Sequence, residues 1–209
     1  MKTVLIGALA MTAPLAVNAQ ELNYFGSVDI TSNYTVAGVT QTNDNPALQA
    51  YLEAEMNGFY FGVFATNVEF GTNDNLEVDL SVGYRHDFEG GQYLDVGYAR
   101  YFFDGVTGNC CGEIYGVFGT PFSDAIWGEL YVAYDPNAKT WDRSVTLGGV
   151  ISDTVEVSAT LGESDVFGTE YWDAGATFNL TDRVSADLRY VGASTGDVGL
   201  VAGLSIALF

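Results

Sequence analysis

A chain of 209 residues with 27 acidic against 7 basic side chains, a net charge of −20, is a poor partner for nucleic acid and for anionic surfaces, which bind proteins by having their charge neutralised. Hydrophobic residues make up 48% of it and aromatic residues 14%, yet past the first residues no stretch approaches the run of about 18 apolar residues that a spanning helix needs. Twenty-five glycines and thirteen tyrosines against four prolines suit many short strands and tight turns better than a helical bundle.

The first element is a leader. Met1-Lys2 supplies a positive charge, Val4–Met11 is an apolar run too short to cross a bilayer, and Val17 and Ala19 fit a cleavage site. Residues 1–19 are therefore expected to be a secretory signal peptide, and residues 20–209 one exported domain.

Period-two alternation then takes over. Leu48 to Met56 is an early case, and Leu76-Glu77-Val78-Asp79-Leu80-Ser81-Val82-Gly83-Tyr84-Arg85 is the clearest, with every even position apolar and every odd position polar or glycine. Such a strand has one apolar and one polar face. Val155–Leu161, Trp172–Phe178 and Val184–Tyr190 repeat the pattern. Weaker segments complete strands near 24–34, 47–56, 59–70, 76–86, 92–102, 113–119, 126–135, 141–150, 155–162, 171–180, 184–191 and 198–209.

The expected fold is all-β, a transmembrane antiparallel up-and-down β-barrel of about twelve strands in a bacterial outer membrane, where even strand numbers are the rule. With the N-terminus periplasmic, the periplasmic turns fall at Asn57-Gly58, 87–91, 120–125, 151–154 and 181–183. The outward loops fall at 35–46, 71–75, 103–112, 136–140, 163–170 and 192–197, and the longest connections are among them. Asn-Gly is the pair preferred in a two-residue hairpin turn. Aromatics crowd the strand ends, among them Tyr24, Phe59, Tyr84, Tyr134, Trp141, Trp172 and Tyr190, as girdles at two headgroup levels require. A soluble β-sandwich also alternates, but it buries its apolar faces and needs no girdles.

The stretch Thr31-Ser32-Asn33-Tyr34, followed by Gly38-Val39-Thr40-Gln41-Thr42 and Asn45-Pro46-Ala47-Leu48-Gln49, resembles the opening signature of an uncharacterised proteobacterial family of exported outer-membrane barrels. Gly58-Phe59-Tyr60 and Ala65-Thr66-Asn67-Val68 resemble that family's next hairpin. The departure is Val36-Ala37-Gly38, where the family has an aromatic-Arg pair before the glycine, so the first outward loop lacks a positive charge. The resemblance implies the barrel fold and carries no activity.

Parity places Asp29, Glu53, Glu55, Glu77, Asp79, Asp95, Glu113, Glu129, Asp142, Glu156, Asp173 and Asp187 in the lumen, with only Arg85 and Arg189 to oppose them. Two arginines do not pair twelve carboxylates, so the lumen is expected to be wet, to hold cations, or to carry several of these acids at its rims. Twelve strands also lie between filled and open barrels in width. A narrow pore with a negative lining favours cations, the leading functional reading, for small solutes. Tyr51, Tyr131 and Tyr171 point inward by the same parity.

The alternative is a non-conducting barrel with a structural or surface-binding role. A sealed lumen needs large side chains or an inward-folded loop, and nothing in the sequence marks which loop folds inward. Catalysis is not expected, because His86 stands alone at the periplasmic end of its strand. Cys110 and Cys111 are adjacent and either remain reduced or form a vicinal disulfide, and no metal spacing or cofactor motif is present. Arg100 and Arg143 fall on the outward face near the outer rim, where they would meet lipid and lipopolysaccharide headgroups.

Overall fold

The computed structural model describes residues 22–196 and 198–209. The expected leader, residues 1–19, lies outside them.

Among the described residues, twelve antiparallel strands close into one barrel. They are β1 (Asn23–Thr31), β4 (Ala47–Met56), β5 (Phe59–Asn67), β6 (Leu76–Asp87), β7 (Tyr93–Phe103), β8 (Cys111–Pro121), β9 (Ile126–Asp135), β10 (Thr140–Ser152), β11 (Val155–Ser164), β12 (Thr169–Asn179), β13 (Val184–Ala193) and β14 (Gly199–Ala207). Each pairs with its neighbour in sequence, and β1 pairs with both β4 and β14 to close the ring. Two further short strands, β2 (Thr35–Val36) and β3 (Val39–Thr40), pair only with each other.

Alternation sets the faces. On β4, Leu48 and Leu52 are exposed outward while Ala47 and Glu53 are buried, and on β6 Leu76 and Val82 are exposed while Glu77 and Asp79 are buried. The apolar side chains point away from the barrel all round the ring, as Ile114, Leu130, Leu147, Leu161, Leu188 and Leu204 illustrate. Aromatic pairs stand near both ends of this outer face. Phe59 packs on Tyr84 at 4.8 Å at the short-turn end, whereas Tyr134 packs on Trp141 at 4.6 Å and Trp172 on Tyr190 at 5.6 Å at the other.

The Asn57-Gly58 turn has both residues in the left-handed region, at φ 54° and 82°, which matches the twist of the flanking strands. At the chain end, the Leu208 amide donates to the Gly26 carbonyl at 2.9 Å, and the Phe209 ring covers Gly26 on the outer face.

The structure differs from the sequence reading mainly in the first loop. β1 ends at Thr31 rather than at residue 34, and β5 ends at Asn67 rather than at 70. The expected outward loop 35–46 is not irregular throughout, because Thr35–Val36 and Val39–Thr40 pair within it as a small hairpin.

Candidate functional site

The inward face carries two clusters of charged and hydrogen-bonding side chains, separated by stretches of small ones. Along β4 to β9 it carries tyrosines and carboxylates around Arg85. This guanidinium meets Glu53 and Asp95 at 3.2 Å each and Glu55 at 3.9 Å, and stands 5.0 Å over the Tyr60 ring. The Tyr60 hydroxyl donates to Asp95 at 2.6 Å and also meets the Tyr115 hydroxyl. Tyr51 donates to Glu53, Tyr93 to Glu129, and Tyr101 to Glu113 at 2.9 Å.

A second cluster surrounds Arg189. It binds Asp173, reaches Asp187 at 3.3 Å and donates to Ser158 at 3.0 Å, while Thr177 donates to Asp187 at 2.9 Å. Nearer the long-loop end, Tyr171 donates to Asp142 at 3.2 Å.

Glycines make these ring positions possible. Tyr60 lies directly opposite Gly83, Tyr115 opposite Gly97, Tyr93 opposite Gly119, Trp127 opposite Gly148 and Tyr171 opposite Gly162. A Cβ at any of these glycines would overlap the facing ring. The aromatic side chains therefore lie flat along the wall rather than across the lumen, an arrangement that also supports the glycine-weakened strands.

Small side chains line two stretches of the wall, β14 with β1 and β10 with β11, on either side of the Arg189 cluster. The inward positions of β14 are Gly199, Val201, Gly203, Ser205 and Ala207, β1 adds Ser27 and Asp29, and β10 and β11 add Ser144, Thr146, Ser158 and Thr160.

The acids expected in the lumen alternate along their strands with exposed apolar side chains and differ in burial. Glu53, Glu77, Asp79, Asp95, Glu113, Asp142 and Asp173 are buried, whereas Asp29, Glu55, Glu129, Glu156 and Asp187 keep partial exposure. The sequence reading balanced the acids only against arginine and missed the tyrosine hydroxyls as donors. Parity of Tyr60, Tyr93, Tyr101 and Tyr115 on the same strands was the available signal.

The first long connection was also missed as a site element. Residues Tyr34 to Thr42 fold back into the barrel mouth as the β2–β3 hairpin, turning at Ala37-Gly38 with φ 48° and 74°. Tyr34, Val36 and Ala37 are buried with Ala47, Phe64 and Val68, and Tyr51, Phe103, Phe167 and Tyr171 pack against them. A Val-Ala-Gly-Val run with a glycine at its turn was the only local hint.

Outside the lumen, Cys110 and Cys111 are joined to one another at the start of β8. Arg100 donates to the Asn109 side chain at 2.6 Å, and Arg143 pairs with Glu163 at 3.2 Å on the outer face. His86 faces outward, stacked on Tyr84. Two adjacent long-end loops are locked together. Asp74 accepts from the hydroxyls of Thr72 at 2.6 Å and Thr107 at 2.7 Å, and these bonds hold its carboxyl below the usual aspartate range. Asp104 accepts from the amides of Asn75 at 2.7 Å and Leu76 at 3.0 Å, and is held low for the same reason.

No curated protein matches the sequence. Among solved structures, a KdgM porin superposes with a TM-score of 0.70 at 10% identity, covering 88% of this chain and 99% of the porin. The KdgM porin in complex with disordered oligogalacturonate gives 0.65 at 7% identity, covering 90% and 100%. A NanC porin gives 0.55 at 11% identity, covering 86% and 97%. At these identities the likeness concerns the twelve-stranded fold. In sequence, the model of a family described as bacterial protein of unknown function (Gcw_chp) matches residues 16–202, and the chain belongs to that family.

Proposed function

We propose that this protein is a passive, narrow outer-membrane pore for small solutes, with an acidic lumen that weakly prefers cations. The observation that carries the reading is the division of faces on a closed twelve-stranded sheet. The outer face exposes apolar side chains all round the ring, while the inner face is polar, with small side chains on β14 and β1 and on β10 and β11. Water solvates such an exterior poorly, whereas a bilayer core solvates it well and leaves no sheet edge unpaired. The aromatic pairs at both ends suit headgroup levels, and the outward Arg100 and Arg143 suit anionic lipid or lipopolysaccharide.

Charge narrows the cargo. The solved KdgM complex contains oligogalacturonate, a chain of carboxylated sugars. The lumen of this protein sets twelve acids against Arg85 and Arg189, a balance that repels polyanions and favours neutral or cationic solutes. No catalytic role is assigned to the lumen carboxylates; tyrosine hydroxyls and arginines already engage several of them.

A non-conducting barrel is the second reading, favoured by the hairpin seated in the mouth. Proteoliposome swelling separates the two. The pore reading expects rapid swelling in a neutral disaccharide and slow swelling in oligogalacturonate of similar size; absence of swelling in every solute supports the sealed barrel.

A further inference from the structure

We infer that the hairpin Tyr34–Thr42 is a built-in stopper of the barrel: seated, it narrows the outer mouth, and unseated it lets the pore conduct fully. The inference rests on the pore reading above and adds the element that controls it.

Geometry is the first support. The hairpin leaves the end of β1 and packs by Tyr34 against Phe64 of β5, with ring centroids 6.2 Å apart. Its turn reaches the far wall, where a Cβ on Gly38 would lie 2.8 Å from the Ala193 Cβ and 3.0 Å from the Tyr171 Cβ. β5 and β12 are five strands apart in a ring of twelve, close to diametrically opposed. The segment therefore spans the lumen rather than lining it.

Chemistry is the second. The barrel interior is otherwise polar, yet the hairpin sits in an apolar seat made by Phe64, Val68, Phe103 and Phe167. A loop that merely passes over the rim has no reason to bury Val36 to 3% exposure. The base is tied differently from the tip. The Thr42 hydroxyl meets Asn33 at 3.1 Å and the Asn45 carbonyl at 2.6 Å, Asn33 donates to Asp44 at 2.8 Å, and the Glu69 amide donates to the Gln41 carbonyl at 2.8 Å. Hydrogen bonds thus anchor the base to the rim, while apolar packing seats the tip, and apolar packing is what one charged substitution abolishes.

The test is single-channel conductance of the full mature chain refolded into planar bilayers, compared with two variants. One replaces residues 35–40 by Gly-Gly, and the other is Val36→Asp, which puts a carboxylate into the apolar seat and keeps the length. Barrel folding is confirmed for each by heat-modifiable migration. Conductance that rises several-fold in both variants is the expected result. Equal conductance in all three folded proteins overturns the stopper and leaves the pore standing. Folded variants that stay silent overturn both readings, since an emptied mouth would then open on a closed lumen.

Discussion

The Tyr60 hydroxyl reaches over the neighbouring strand to donate to Asp95 at 2.6 Å, and it does so because Gly83, directly opposite, has no side chain in the way. One glycine therefore decides whether this buried carboxylate keeps its tyrosine donor beside Arg85. Tyr60→Phe should cost about 1.5–3 kcal/mol, the range for a hydrogen bond to a charged group. Gly83→Val should cost about 1–3 kcal/mol by displacing the ring. The double variant should cost less than the sum, because both changes break one contact. Urea unfolding in lipid vesicles, followed by tryptophan fluorescence, measures all three, and strict additivity would count against the arrangement.

Arg85 holds Glu53 and Asp95, each about 5% exposed, at 3.2 Å. Arg85→Met removes the shared cation and leaves both carboxylates in a poorly solvated wall, a loss of about 3–5 kcal/mol. Adding Glu53→Gln should restore part of it, since one uncompensated charge then disappears. The same unfolding assay shows whether the second change helps or harms.

The two faces should differ in their tolerance of charge. Leu80→Arg, on the outer face of β6, should cost about 2–4 kcal/mol near the bilayer midplane and impair assembly. Ser205→Arg, on the sparsely lined inner wall, should assemble normally. Asp79 is unsuitable as the inward control even though it shares that face, because it is 2% exposed. Assembly yield in vesicles is the readout, and equal yields for Leu80→Arg and Ser205→Arg would contradict the assignment of the two faces.

Most of the barrel was legible because alternation is set by the strand itself. Leu76 to Arg85 announces its faces residue by residue, and the Asn57-Gly58 pair announces its turn. What alternation does not encode is reach across strands. That Tyr60 on β5 serves Asp95 on β7 depends on the register that sets Tyr60 against Gly83, and register appears only once the strands pair. The hairpin was hidden for a related reason. Tyr34 reads as a strand end and Val36 and Ala37 as ordinary loop residues until Phe64, Phe103 and Phe167, distant in sequence, form a seat for them.

The lock between the two long-end loops should depend on pH. Asp74 and Asp104 have lowered carboxyl pKa values in the folded protein, through the Thr72 hydroxyl above all in the first case and the Asn75 amide in the second. A lowered folded pKa adds stability that is complete above the unfolded aspartate value and is lost as pH falls through the folded one. The Thr107 amide also donates to Asp74, at 3.1 Å, so protection factors of the Thr107, Asn75 and Leu76 amides in hydrogen exchange should hold steady at neutral pH and fall in acid. Asp74→Asn should lower Thr107 protection at neutral pH and flatten its dependence on acid.

Reversal potential in a planar bilayer under a salt gradient tests the pore and its lining together. The account predicts discrete conductance steps with a cation-selective reversal potential, shifted toward zero when the partly exposed Asp29 and Glu156 become Asn and Gln. A folded barrel that carries no current, or one that selects anions, would contradict it.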